Sequence, residues 1–157
     1  MENKKIYTGI IPPIITPLKA DRTLDEEGLE KLIEFDLKAG VSGVFTMGSS
    51  GEAMMTSRED WKKTLAKTVQ CVGDRAKVFC GVIDTSVIEN IKEAEQVGAK
   101  IVVVTPAFYL QNSCQDEIVR HYEKVAASTS LKVVVYNIPG MTHAPIQPDT
   151  IRRIADI

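Results

Sequence analysis

Five short apolar runs alternate along the chain with five longer stretches in which apolar residues recur at helical spacing. The runs cover residues 10–16, 43–46, 77–82, 100–105 and 131–136. Their apolar positions are mostly consecutive, not alternate, and β-branched residues dominate, as in Ile101-Val102-Val103-Val104. Strands covered on both faces read this way, which predicts a parallel sheet flanked by helices. Pro12-Pro13 fits a central strand badly, because proline brings no N–H to a ladder.

The intervening stretches predict helices. Leu29, Leu32, Ile33 and Leu37 share one helical face, Asp25 is placed to cap its start, and Gly40 to stop it. Glu26 and Glu27 suit the positive end of that helix dipole. Thr56 followed by Glu59 reads as a capping box opening a second helix, with Trp61, Leu65, Thr68 and Val69 inward. A third helix is expected over 86–97 before Gly98, a fourth over 115–127, and a fifth from Pro148-Asp149 to the end of the chain.

A strand-helix unit thus recurs about every 30 residues, the length of a βαβ repeat. No linker divides the chain, so residues 1–157 are expected to form one domain or part of one. A doubly wound sheet and a (β/α)8 barrel both fit this rhythm. The first run is followed by Thr16-Pro17 and not by a G-x-G-x-x-G fingerprint. Thr16, Thr46, the Gly48 loop, Thr105 and Tyr136 all fall at or just past the C-terminal ends of the runs, the face that carries chemistry in a barrel. The pattern favours the barrel, with five of the eight units that a closed one needs.

Charge and cysteine content narrow the function. The formal charge of −2 and the lack of a Lys/Arg cluster argue against nucleic acid. No apolar run approaches the ~18 residues of a membrane span, and no signal-peptide pattern follows Met1. The three cysteines have no C-x-x-C spacing, and neither histidine has a metal-ligand partner. A cytoplasmic protein without metal or organic cofactor is expected.

Three loops could carry chemistry. Gly48-Ser49-Ser50-Gly51-Glu52 offers a close backbone approach and two hydroxyls that could hold a carboxylate or phosphate. It also reads as a plain turn, and it is no Walker loop, since no Gly-Lys-Ser/Thr follows. Tyr136-Asn137-Ile138-Pro139-Gly140 puts a phenol at a strand end, where it could relay protons or simply pack at the rim. Thr105-Pro106-Ala107-Phe108-Tyr109 offers aromatics for a pocket, a subunit contact or a small apolar cluster. His121 is expected to be a rim or solvated side chain and His143 a loop residue. Glu52 is expected to order its loop by hydrogen bonds.

Together these segments resemble one family, the dihydrodipicolinate synthase / N-acetylneuraminate lyase group of class I aldolases. Gly48-Ser49-Ser50-Gly51-Glu52 matches its G-[ST]-[ST]-G-E signature, and Tyr136-Asn137-Ile138-Pro139 its Y-N-[IV]-P signature. The resemblance spans the chain and implies a (β/α)8 barrel that binds pyruvate or another 2-oxo acid as a Schiff base on a lysine. It implies that Tyr136 donates and accepts the proton, that Ser49 joins the relay, and that Ser50 holds the carboxylate. Gly48, Gly51, Thr16 and Ile138 are the other expected substrate contacts. Tyr109 corresponds to the aromatic that reaches a neighbouring subunit, or Phe108 does if the register differs by one. Family members are usually homotetramers.

Two departures qualify the resemblance. The nucleophilic lysine of the family lies on its sixth strand, beyond Ile157; Lys77, Lys100 and Lys132 fall at strand beginnings, on the opposite face. The chain alone is therefore expected to be an inactive N-terminal fragment, and its intact parent to be the enzyme. Met141 stands where the synthases usually carry an arginine for a carboxylate, which favours a lyase or aldolase for another 2-oxo acid. The alternative is a non-catalytic half-barrel that acts as an assembly or binding module through its unpaired sheet edges.

Overall fold

The computed structural model describes residues 7–108 and 114–157. Four parallel strands, β1 (Gly43–Thr46), β2 (Lys77–Val82), β3 (Ile101–Val104) and β4 (Lys132–Val135), lie side by side in sequence order. Helices α1 (Glu26–Lys38), α2 (Arg58–Val72), α3 (Val87–Gln96), α4 (Gln115–Ala127) and α6 (Pro148–Ala155) fall where periodicity placed helices. A four-residue helix, α5 (Pro139–Thr142), was not anticipated: Pro139 and Gly140 open one helical turn. Proline is tolerated there because the first N–H groups of a helix have no partner within it.

The first apolar run is not a strand. It follows β1 in parallel, touching it through a single bridge from Pro13 to Phe45. Ser42 N donates to Ile10 O at 2.8 Å, Phe45 N to Pro12 O at 2.9 Å, and Ile14 N to Phe45 O at 2.9 Å. Pro12 accepts, but neither proline can donate, so the pairing stays too sparse for a regular ladder.

Register explains why apolar residues stand at consecutive positions. On β2 to β4, Cys80, Val82, Val102, Val104, Val133 and Val135 pack beneath the helices with Trp61, Leu65, Ile91, Ile118 and Tyr122. Phe79, Ile101, Val103 and Val134 pack on the face away from the helices, together with Phe45, Tyr7, Ile11 and Tyr136. Both faces are thus apolar, and each well-buried side chain contributes about 1.5–3 kcal/mol. Leu29 and Ile33 of α1 join Ile14, Val44 and Val72 in a separate cluster.

Caps follow local chemistry. Asp25 caps α1 as expected, its carboxylate accepting from Gly28 N at 3.0 Å. The cap of α2 is Ser57, one residue later than Thr56: Asp60 N donates to Ser57 Oγ at 3.1 Å, and Ser57 Oγ donates to Asp60 Oδ2 at 2.7 Å. Thr56 instead donates its hydroxyl to Glu52 O at 2.9 Å, tying α2 to the loop before it. Thr46 also departs from expectation. It is buried toward α2, where Thr68 Oγ1 donates to its hydroxyl at 3.4 Å, and so it is no part of the strand-end face.

Candidate active site

The loop after β1 turns on two residues that are not glycine. Met47 and Glu52 both adopt the left-handed region, with φ of 53° and 55°. A side chain there costs on the order of 1 kcal/mol, so surrounding contacts must hold it. The holding contacts are visible. Met47 is fully buried. Its carbonyl lies so near Gly81 of β2 that a Cβ there would stand 1.9 Å from the oxygen. Gly51 N donates to Gly48 O at 3.1 Å and Glu52 N to Ser49 O at 3.1 Å, closing the turn.

The glycines serve close approach. A Cβ on Gly48 would stand 2.7 Å from the Phe45 ring. Phe45 in turn meets Tyr136 edge-on, with ring centroids 5.6 Å apart. Gly48 therefore lets the loop settle on the ring that positions the tyrosine.

The result joins two segments 87 residues apart. Ser49 Oγ and Tyr136 Oη lie 3.5 Å from each other, and either hydroxyl could donate. Tyr136 N donates to Val104 O at 2.8 Å, which continues the β4 ladder and fixes the ring at the strand end. Ser50 is exposed beside Ser49. Thr16 reaches the loop from the first run and donates its hydroxyl to Gly51 O at 2.6 Å. That hydroxyl braces the loop, while those of Ser49 and Ser50 face outward. Tyr109 lies outside the described residues.

Beyond Ser49 opens a cavity of about 300 Å³. Ile138, Met141, Phe108, Met54, Met55 and Thr105 are among the residues on its wall. Glu52 also borders it, but no hydrogen bond of its carboxylate is seen among the described residues; the loop is ordered through its backbone instead. Thr105 is buried, and its hydroxyl has no partner among the described residues. His121 was expected at the rim, yet it is half-buried, with Nε2 3.0 Å from Thr105 O. Burial pushes its pKa below the usual histidine value, although the bond to Thr105 opposes this. His143 is exposed and ends α5.

Next to this site, Asp84 holds the start of α3. Its carboxylate accepts from Ser86 N at 3.0 Å and from Asn90 Nδ2 at 2.9 Å. Burial raises its pKa, but these bonds together with those from Thr85 outweigh that and bring it below the usual carboxylate range. Asn90 is also hydrogen-bonded by Arg58, whose Nε lies 3.1 Å from Glu93 Oε2. Sequence reading missed this link between α2 and α3, since nothing in local spacing pairs Arg58 with Asn90. Among the described residues, no cluster of His, Cys, Asp and Glu is arranged to hold a metal ion. No helix among them is long and apolar enough to cross a membrane.

Comparison with known proteins matches this geometry to one family. A model of the dihydrodipicolinate synthetase family matches residues 6–157. The 4-hydroxy-tetrahydrodipicolinate synthase of Methanocaldococcus jannaschii is 36% identical over 155 residues, covering 96% of this chain and 53% of that protein. YagE of Escherichia coli K12, provisionally named a 2-dehydro-3-deoxy-D-gluconate aldolase, is 35% identical over 159 residues, covering 99% of this chain and 52% of that protein. Its crystal structure in complex with pyruvate superposes with a TM-score of 0.91, over 97% of this chain and 52% of that one. The chain spans about half the length of the curated relatives it matches.

Proposed function

The chain belongs to the dihydrodipicolinate synthetase family, and we propose from this that it supplies the proton-transfer half of the active site of a pyruvate-dependent class I aldolase or lyase. The observation that carries the reading is the Ser49–Tyr136 hydroxyl pair, 3.5 Å apart at the C-terminal ends of β1 and β4. The structure of YagE with pyruvate, similar over nearly the whole chain, supports pyruvate as the first substrate.

In this reading pyruvate is held as a Schiff base on a lysine outside these 157 residues. Lys77 and Lys132 begin β2 and β4, and Lys100 precedes β3, all at the end of the sheet opposite Tyr136. The chain by itself then lacks a nucleophile. Ser50 and the loop amides bind the 2-oxo acid carboxylate, the amides of Ser49 and Ser50 having no hydrogen-bond partner among the described residues. Tyr136 carries the proton to and from the bound substrate, and Ser49 is the next hydroxyl of the relay. In the synthetic direction the pyruvate methyl carbon loses a proton and bonds to the carbonyl carbon of an aldehyde, whose oxygen takes up a proton. Cleavage is the reverse.

The cavity beside Ser49 is where that aldehyde enters, and Met141 on its wall offers no charge for a second carboxylate. This favours an aldolase or lyase for another 2-oxo acid over dihydrodipicolinate synthesis. The enzyme is read as cytoplasmic, and as homo-oligomeric from its family. Exchange of the pyruvate methyl protons into deuterated water, followed by NMR on the full polypeptide that carries this sequence, tests the reading. Exchange is expected; its absence overturns the aldolase assignment.

A further inference from the structure

Among the described residues, the backbone of Tyr136 is tied to the neighbouring strand through one terminal rung. The register that pairs Val104 with Val135 makes residue 106 the next donor from β3 to β4, and residue 106 is a proline without an N–H. The ladder between the two strands therefore ends where Tyr136 N donates to Val104 O at 2.8 Å. Past Tyr136 the chain is tied to its own loop: Asn137 Nδ2 donates to Ile146 O and Ile146 N to Asn137 Oδ1, both at 3.2 Å.

A buried phenol meets that last rung from the helix side. Tyr122 of α4 is 2% exposed and packs in the cluster that holds Cys80, Val102 and Val104. Its hydroxyl donates to Val104 O at 2.8 Å, the same carbonyl that Tyr136 N reaches. Burial pushes the pKa of Tyr122 up, and the hydrogen bond it takes from the Tyr136 backbone opposes this. The phenol thus touches both sides of the rung. His121 braces it: the two rings meet edge-on with centroids 5.1 Å apart, and His121 Nε2 lies 3.0 Å from the next carbonyl, Thr105 O. Phenylalanine would fill the same core space, so packing alone does not call for the hydroxyl.

The Ser49–Tyr136 pair is sensitive to this rung. Its hydroxyls are 3.5 Å apart, longer than the usual ~2.5–3.0 Å between two hydroxyl oxygens, so a small shift of the β4 end parts them. From these contacts, and resting on the aldolase reading above, we propose that Tyr122 is a positioning residue for proton transfer. It clamps the last rung between β3 and β4 and so keeps the Tyr136 hydroxyl within reach of Ser49 and of the substrate. Tyr122 itself touches no substrate, being buried on the helix side of the sheet.

The test is pyruvate methyl-proton exchange, followed by NMR, on the full polypeptide with Tyr122→Phe, Tyr136→Phe and both together. Tyr122→Phe keeps the ring and leaves no unpaired donor behind, so the fold is retained. It should lower kcat for exchange about 10-fold, the scale of loss when a catalytic group shifts by a fraction of an ångström, with KM for pyruvate within about 2-fold. Once Tyr136→Phe is present there is no hydroxyl left to position, and adding Tyr122→Phe should then cost less than about 2-fold. Val125→Ala, which opens a cavity in the same helix and core, should lower the thermal midpoint and leave kcat and KM unchanged. An equal loss from Tyr122→Phe in both backgrounds, or a matching loss from Val125→Ala, gives the phenol a merely structural role and overturns the inference. An unchanged kcat, or a rise in KM alone, overturns it as well. All of these outcomes leave the aldolase reading standing. Absence of exchange in the unmodified polypeptide removes that reading, and the assignment of Tyr122 with it.

Discussion

Tyr136 meets its surroundings through two separable contacts, its ring against Phe45 and its hydroxyl against Ser49. Tyr136→Phe keeps the first and deletes the second. On the proposed mechanism it should slow pyruvate proton exchange about 10²- to 10⁴-fold, the usual contribution of a positioned acid-base group. Ser49→Ala, one hydroxyl further from the substrate, should cost less; NMR exchange rates of the two variants check the order. His121 offers a second prediction. Its pKa lies below the ordinary 6.5 because it is buried, so the folded protein binds fewer protons than the unfolded chain just below that value. Its contribution to stability is therefore full above about pH 6.5 and is lost as pH falls through the lowered folded value. Urea unfolding across that range should show the decline, and His121→Gln should flatten it. The two left-handed residues of the site loop, Met47 and Glu52, could not be read from sequence, because a methionine and a glutamate carry no signal for positive φ. The hydroxyls of that loop were legible, since Ser49 and Ser50 stand between turn-forming glycines at a strand end.

At the scale of elements, the loop is held against β2 by the close approach of the Met47 carbonyl to Gly81. Trp61 of α2 bonds the same residue, donating Nε1 to Gly81 O at 3.2 Å. Gly81→Ala must push the loop off the strand, since its Cβ would overlap backbone and not a flexible side chain. It should destabilise the protein by about 1–3 kcal/mol, the usual cost of overpacking, and weaken pyruvate binding. The urea midpoint and a pyruvate titration measure the two effects. Helices α1, α2, α3, α4 and α6 were legible because each has an apolar face and all but α4 a clear start or stop residue. The misplaced cap of α2 has a simple cause: Thr56-Ser57 offers two adjacent hydroxyls, each followed three residues on by an acid. Backbone direction selects between them, and sequence does not carry it. The same limit applies to Thr46, whose strand position was clear and whose face was not.

Across the whole molecule, both faces of the sheet are apolar, but only one is covered by helices of this chain. The other gathers Phe45, Phe79, Ile101 and Val103 beneath Tyr136, the interior expected of a barrel. Among the described residues, β4 pairs with β3 alone, and the first run pairs with β1 alone. The relatives that match are about twice as long. These facts make the sheet the N-terminal half of a barrel, which the repeat of strand and helix had made legible. The lysine proposed to hold pyruvate was not legible in these residues: Lys77 and Lys132 begin β2 and β4 and Lys100 precedes β3, at the end of the sheet opposite Tyr136. The most direct measurement of the central claim is borohydride reduction in the presence of pyruvate, followed by mass spectrometry of the full polypeptide. A reduced pyruvyl adduct on one lysine outside residues 1–157 is the result expected. A full polypeptide that forms no adduct, or forms it on Lys77, Lys100 or Lys132, would contradict it.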